Sequence, residues 1–177
     1  ENYFIESCPS SRAIDRLFCR YLSLDYFTSL TMHSDNPARH GSVLHGILSE
    51  VQSKTEFKLS FEKAVSEGLI NDSEAEELLH YINGCFTNPI INSWFTAGPV
   101  VMNETDIILP EGITKRPDRV VIFEDHVDII DYKFGSETNE DKYSKQIEDY
   151  KLICSQMGYS NIKGYLWYIT LNKILEV

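Results

Sequence analysis

Residues 116–133 carry a pattern that admits few backbone arrangements. Two apolar runs, Val120-Val121-Ile122-Phe123 and Val127-Asp128-Ile129-Ile130, flank Glu124-Asp125-His126, the signature of a β-hairpin. The turn is not of the Asn-Gly type, so its length has to be argued. With Glu124-Asp125 as the loop, Phe123 pairs with His126, Val120 lies opposite Ile129 and Asp118 opposite Asp131. One face then carries Val120, Ile122, Val127 and Ile129 as a core stripe, with both aspartates at its open end. Lys133 joins them, because residues two apart on a strand share a face. A three-residue loop would send Asp118 to the other face and break the stripe. The two-residue register is expected.

Directly opposed carboxylates sit about 5 Å apart at Cβ and repel. A fold keeps such a pair comfortably when something cationic lies between them. Two carboxylates with a nearby lysine suit Mg²⁺ or Mn²⁺, which prefer oxygen ligands and retain waters. The plain alternative is a hairpin mouth whose aspartates point into water.

At 177 residues, with 42% hydrophobic and 12% aromatic content, the chain is one domain by length and can bury a substantial core. No apolar run approaches the ~18 residues of a membrane span, and the N-terminus does not resemble a signal peptide. Glu1 in place of Met suggests a domain excised from a larger protein. Cys8, Cys19, Cys85 and Cys154 are widely spaced, which argues against a zinc site or a disulfide framework. A reduced, cytoplasmic compartment is expected. The net charge of −11 runs against free-standing nucleic-acid binding. Acidic stretches at 62–77 and 139–149 read as solvated helix faces, so any affinity for DNA would come largely from attached parts.

Helical spacing of Ile14, Leu17, Phe18 and Tyr21 suggests a helix within residues 11–30, followed by a polar loop over 31–40 that contains Pro37. Gly41-Ser42 opens an amphipathic helix with Ser42 as cap and Leu44, Ile47, Leu48 and Val51 as its stripe. Residues 56–67 and 73–83 read as two further helices, the second capped by Asp72 or Ser73, and 88–95 as a short one. From Gly98 the chain turns to strands: 100–104, 107–109, then the hairpin. Asn139 caps a long helix whose first turn holds Glu140-Asp141, favourable to the helix dipole. Its stripe runs Tyr143, Ile147, Tyr150, Cys154, Met157. Strands at 164–171 and 174–177 end the chain around Asn172-Lys173. The layout is α/β, a mixed sheet flanked by helices. Residues 1–97 are mainly helical and 98–177 form the sheet core.

Outside the hairpin, four residues invite a chemical reading. His45 lies one position beyond its helix's buried stripe, at the edge of the core, with Gly41 and Gly46 allowing close backbone approach. His33, His40, His80 and His126 read as surface residues. Gln146 and Tyr150 are four apart on the long helix and share a face. Packing explains Tyr150 adequately, and Gln146 less so. Glu104 ends a strand.

Taken in order, Gly41 and His45, Glu104, Arg116-Pro117-Asp118, Asp131-Tyr132-Lys133, and Gln146 with Tyr150 resemble the PD-(D/E)xK nuclease superfamily. More closely they resemble the RecB/AddA-type nuclease domain of UvrD-like helicases. The resemblance covers about residues 41–170. It implies a restriction-endonuclease-like core in which His45, Asp118, Asp131 and the backbone carbonyl of Tyr132 ligate Mg²⁺ or Mn²⁺. Lys133 would orient or help deprotonate the attacking water and offset charge on the scissile phosphate, while Gln146 and Tyr150 would line the DNA path and support the site from the helix. Glu104 matches an acidic position before the motif aspartate. Some relatives hold an iron–sulfur cluster with cysteines clustered after the Gln-x-x-x-Tyr helix. Only Cys154 lies there, so no cluster is expected. The implied function is a metal-dependent deoxyribonuclease domain, exonucleolytic, in an ATP-dependent helicase–nuclease that processes DNA ends for recombinational repair. Its partners would be DNA, a helicase domain in the same chain and a second helicase–nuclease subunit, with no membrane. Two alternatives stand beside it: a catalytically silent DNA-end-binding or structural module, and a stand-alone nuclease of phage or CRISPR type.

Overall fold

A computed structural model describes residues 37–109, 112–134 and 140–177. The helix expected within 11–30, His33, Cys8, Cys19 and the Asn139 cap lie outside the described residues.

Helix α1 spans Pro37–Glu50. It begins within the expected polar loop and ahead of the expected Ser42 cap, because proline's fixed φ and missing N–H suit a helix's first position. The extra turn brings His40 into register with Leu44, Ile47 and Val51. His40 is 1% exposed, not a surface residue, and its Nε2 lies 2.9 Å from Glu74 Oε1. Gly46 admits no close neighbour, since a Cβ there would meet nothing within 4 Å. A 3₁₀ turn, Lys54–Glu56, leads into α2, Phe57–Ser66.

Helix α3, Asp72–Cys85, is capped one residue earlier than expected. Asn71 accepts from the Glu74 N–H at 2.9 Å, and the Glu74 carboxylate accepts from the Asn71 N–H at 2.8 Å. This reciprocal capping box satisfies two otherwise orphaned donors. Helix α4, Pro89–Trp94, is capped by Asn88.

Strands β1 (Val100–Asn103), β4 (Arg119–Ile122), β5 (Val127–Lys133), β6 (Ile162–Tyr168) and β7 (Lys173–Glu176) form one sheet in the order β1-β4-β5-β6-β7. All neighbours are antiparallel except β5 and β6. That parallel pair is joined through α5, Glu140–Gln156, so the sheet is mixed. Strands β2 (Ile107–Ile108) and β3 (Thr114–Lys115) form a separate two-stranded ribbon. The expected reading had no strand at 114–115. The end of the 164–171 strand is instead a 3₁₀ turn, Ile169–Leu171, closed by Asn172 at φ 46°.

The hairpin has the expected register. Val120 pairs with Ile129 and Ile122 with Val127, and the Phe123 N–H donates to the His126 carbonyl at 2.9 Å. Val120, Val127 and Ile129 pack against Ile147, Tyr150 and Cys154 of α5. On the opposite face Val121, Ile130, Tyr132 and Trp167 pack with α1 to α4. Both faces are therefore covered. Met157, expected in the α5 stripe, is 54% exposed, because the helix ends at Gln156 and the chain turns at Gly158, φ 96°. No helix among the described residues is long and apolar enough to cross a membrane.

Candidate metal centre

The site lies at the open end of the β4–β5 hairpin. The last ladder pair is Arg119 with Ile130, and one step further Asp118 stands opposite Asp131. Both are buried, at 8% and 3% exposure, which removes the reading of two aspartates pointing into water. Asp118 Oδ2 accepts from the Tyr132 N–H at 2.8 Å. Asp131 Oδ1 accepts from Gln146 Nε2 at 3.2 Å, and its Oδ2 pairs with the Lys133 ammonium. Lys133 also lies 4.1 Å from the centroid of the Tyr143 ring. The repulsion inherent in opposed carboxylates is thus answered on the Asp131 side by a cation from the same strand.

On the Asp118 side two elements close in. His45 of α1 places Nε2 3.9 Å from Asp118 Oδ1 and Nδ1 3.4 Å from Glu104 Oε1. One ligand atom from each of His45, Glu104 and Asp118 falls within 4.8 Å of the others. Glu104 sits just past β1 at φ 40°, a left-handed conformation uncommon for a non-glycine residue. Its N–H donates to the Asp118 carbonyl at 3.0 Å, which holds it there. Such strain persists where surrounding contacts fix it.

From α5, Gln146 Nε2 also lies 2.9 Å from the Tyr150 hydroxyl, which donates to the Arg116 carbonyl at 3.0 Å. Gln146 and Tyr150 therefore brace both halves of the motif, Asp131 and the segment leading to Asp118. Gln146 also lines a groove of about 700 Å³ along α5, whose walls include Lys115, Lys145 and Asp149.

Comparison with protein-family models and with curated proteins gives no match. What the site can do follows from its own geometry.

Every expected side chain reaches this region, but they do not form a single ligand set. His45, Glu104 and Asp118 cluster, while Asp131 is taken up by Lys133 and Gln146. Two contributors went unread in the sequence. Asp106 forms a two-pronged pair with Arg116, Nε to Oδ1 at 2.6 Å and Nη2 to Oδ2 at 3.2 Å. These bonds hold the Asp106 carboxyl below its ordinary range and raise Arg116. Tyr143 falls on the α5 stripe by spacing, which predicts packing and not its place over the Lys133 ammonium. Asp106 shows no sequence signal, because its role depends on how β2 and β3 pair.

Proposed function

We propose that this chain is a metal-dependent DNA nuclease domain of the PD-(D/E)xK type. The observation that carries the reading is the convergence of Asp118, Asp131 and Lys133 at one hairpin mouth, with His45 and Glu104 meeting Asp118 from two other elements. The two carboxylate oxygens suit Mg²⁺ or Mn²⁺, and the imidazole nitrogen favours the softer Mn²⁺ over Mg²⁺. His45, Glu104 and Asp118 would hold the ion. Asp131 and the Tyr132 carbonyl are ligands on the resemblance alone. When bound, the ion supplies Lewis acidity toward a phosphodiester and lowers the pKa of a bound water.

The protein's own residues have separable tasks. Lys133 sits beside the carboxylates, where its ammonium offsets charge growing on a scissile phosphate. Gln146 holds Asp131, and Tyr150 holds the Arg116 carbonyl, so both aspartates approach the substrate from fixed positions. Preset geometry of this kind lowers the ordering cost of reaction. The Tyr132 N–H keeps Asp118 Oδ2 occupied and turns Oδ1 toward His45.

With a net charge of −11, the domain would depend on attached parts to deliver DNA, as a helicase–nuclease in DNA end processing would supply. The test is cleavage of linear and circular single-stranded DNA with Mg²⁺ or Mn²⁺. Metal-dependent cutting that Lys133→Ala and Asp118→Ala abolish is expected, with the circle spared if the enzyme needs an end. Cutting by Lys133→Ala at the wild-type rate would remove the assignment.

A further inference from the structure

Arg116 closes the base of the β2–β3 ribbon. Ile107 pairs with Lys115, and one step outward Asp106 faces Arg116 as a cross-strand pair. Three constraints fix this arginine. Asp106 takes the Nε and Nη2 edge of the guanidinium at 2.6 and 3.2 Å. The Tyr150 hydroxyl of α5 holds its backbone carbonyl at 3.0 Å. Its remaining nitrogen, Nη1, lies 3.9 Å from Glu104 Oε2, at the edge of the cation cluster. The side chain is nevertheless 50% exposed, and Asp106, on the Nε and Nη2 edge, leaves the Nη1–Nη2 edge for a ligand. A surface ion pair alone contributes little stability. What this one does is aim a guanidinium at the site.

We propose that Arg116 grips the nucleic-acid phosphate next to the scissile bond, and that Asp106 is the residue that positions it. The inference rests on the nuclease reading above. A guanidinium offers a planar, permanently charged fork that matches phosphate oxygens. Holding it in place before binding lowers the entropy lost when a long side chain is immobilised. The arrangement also gives an aspartate a reason to stand near the path of a polyanion, where it would otherwise only repel.

The experiment compares wild type, Arg116→Ala, Arg116→Lys, Asp106→Asn and the Arg116→Ala/Asp106→Asn double variant. KM and kcat are measured on a short linear single strand. Binding of a fluorescent single strand is followed against salt on a Lys133→Ala background. Arg116→Ala is expected to raise KM about tenfold, the loss of a charge-assisted contact, with kcat changed far less. Its binding should lose about 0.7 from the slope against salt, as for one phosphate contact on a single strand. Arg116→Lys should recover only part, since a point charge lacks the fork.

Asp106→Asn separates the two possible roles of the aspartate. Positioning requires that it weaken binding toward the Arg116→Ala level, with the double variant no worse than Arg116→Ala. A merely repulsive carboxylate requires that Asp106→Asn tighten binding, which would overturn the positioning role. If wild type cuts in a Lys133-dependent way and Arg116→Ala matches it in KM and salt slope, this inference falls and the nuclease reading stands. If wild type does not cut, or Lys133→Ala cuts equally well, both fall.

Discussion

Arg119 and Asp128 show how the hairpin's second face is built. The Arg119 side chain is fully buried and donates to the carbonyls of Val51, Gln52 and Trp94 at 2.9, 2.8 and 2.6 Å, and to Asn103 Oδ1 at 3.1 Å. Its guanidinium lies 4.0 Å from the centroid of Phe95, and burial lowers its pKa. It thereby ties the ends of α1 and α4 to the sheet. Arg119→Met would leave the buried Trp94 carbonyl unmet and take a donor from Gln52 and Asn103, while Val51 keeps the Asn103 amide, so a loss of about 3 kcal/mol is expected in urea unfolding. A change below about 1 kcal/mol would mean that water reaches those acceptors. Asp128 is buried with Oδ2 accepting from Trp94 Nε1 at 2.8 Å. Burial pushes its carboxyl upward. A raised carboxyl is protonated alike in folded and unfolded chains at low pH, and its ionised form costs stability as pH climbs through the folded value. Asp128→Asn keeps an acceptor for Trp94 and removes that cost. It should therefore be more stable than wild type near neutral pH, with the gain shrinking in mildly acidic buffer. A gain that grew on acidification would contradict the sign. Neither residue was legible in the sequence, because the alternation that places Val120 and Ile129 inside places Arg119 and Asp128 outside. Helices on both faces of the sheet bury them anyway.

At the scale of elements, the hairpin, the α5 crossover and the Gln146 and Tyr150 positions on it were readable, since each is a local pattern of period two or 3.6. The start of α1 and strand β3 were not. The first depends on Pro37 beginning a helix inside a polar stretch, and the second is only two residues, Thr114 and Lys115, that become a strand by pairing with the expected one at Ile107 and Ile108. Gly164 of β6 carries no local sign of its importance either. A Cβ there would lie 2.1 Å from Ile147 Cγ2 and 3.1 Å from Lys151 Cδ, so its missing side chain is what lets α5 rest on the sheet. Gly164→Ala is expected to cost about 1–3 kcal/mol as an overpacking change. Because α5 carries Gln146 and Tyr150, the cleavage proposed above should fall along with stability. The Gly164→Ala/Ile147→Ala double variant should be less destabilised than the sum of the singles, since the clash disappears with Ile147. Additive losses in the cycle would place the strain elsewhere.

Over the whole molecule, the candidate ligands come from parts of the chain that only the fold unites. His45 belongs to the helical layer, Glu104 follows the edge strand β1, and Asp118 precedes β4, the strand next to that edge. The motif order was legible in the sequence. The separation of His45, Glu104 and Asp118 from Asp131 with its Lys133 partner was not, because it depends on side-chain directions across three elements. An ion bound by the first three would join the helical layer to the sheet, so binding should appear as stability. With free ion at a hundredfold over its dissociation constant, the gain is about 2.7 kcal/mol, and the melting temperature should rise accordingly with Mn²⁺ or Mg²⁺. An acidic chain complicates the reading, since 27 carboxylate residues against 16 Lys and Arg gain from any cation that screens them. Two controls separate the effects. Monovalent salt at matched ionic strength should reproduce only the screening part. Asp118→Asn, which can still accept from the Tyr132 N–H, should be no less stable than wild type without metal, because it loses a carboxylate facing other carboxylates. With divalent metal it should show only the screening gain. If Asp118→Asn and His45→Ala were stabilised by Mn²⁺ as much as wild type, the ion would be held elsewhere, and the cluster would be an acidic edge with a histidine beside it.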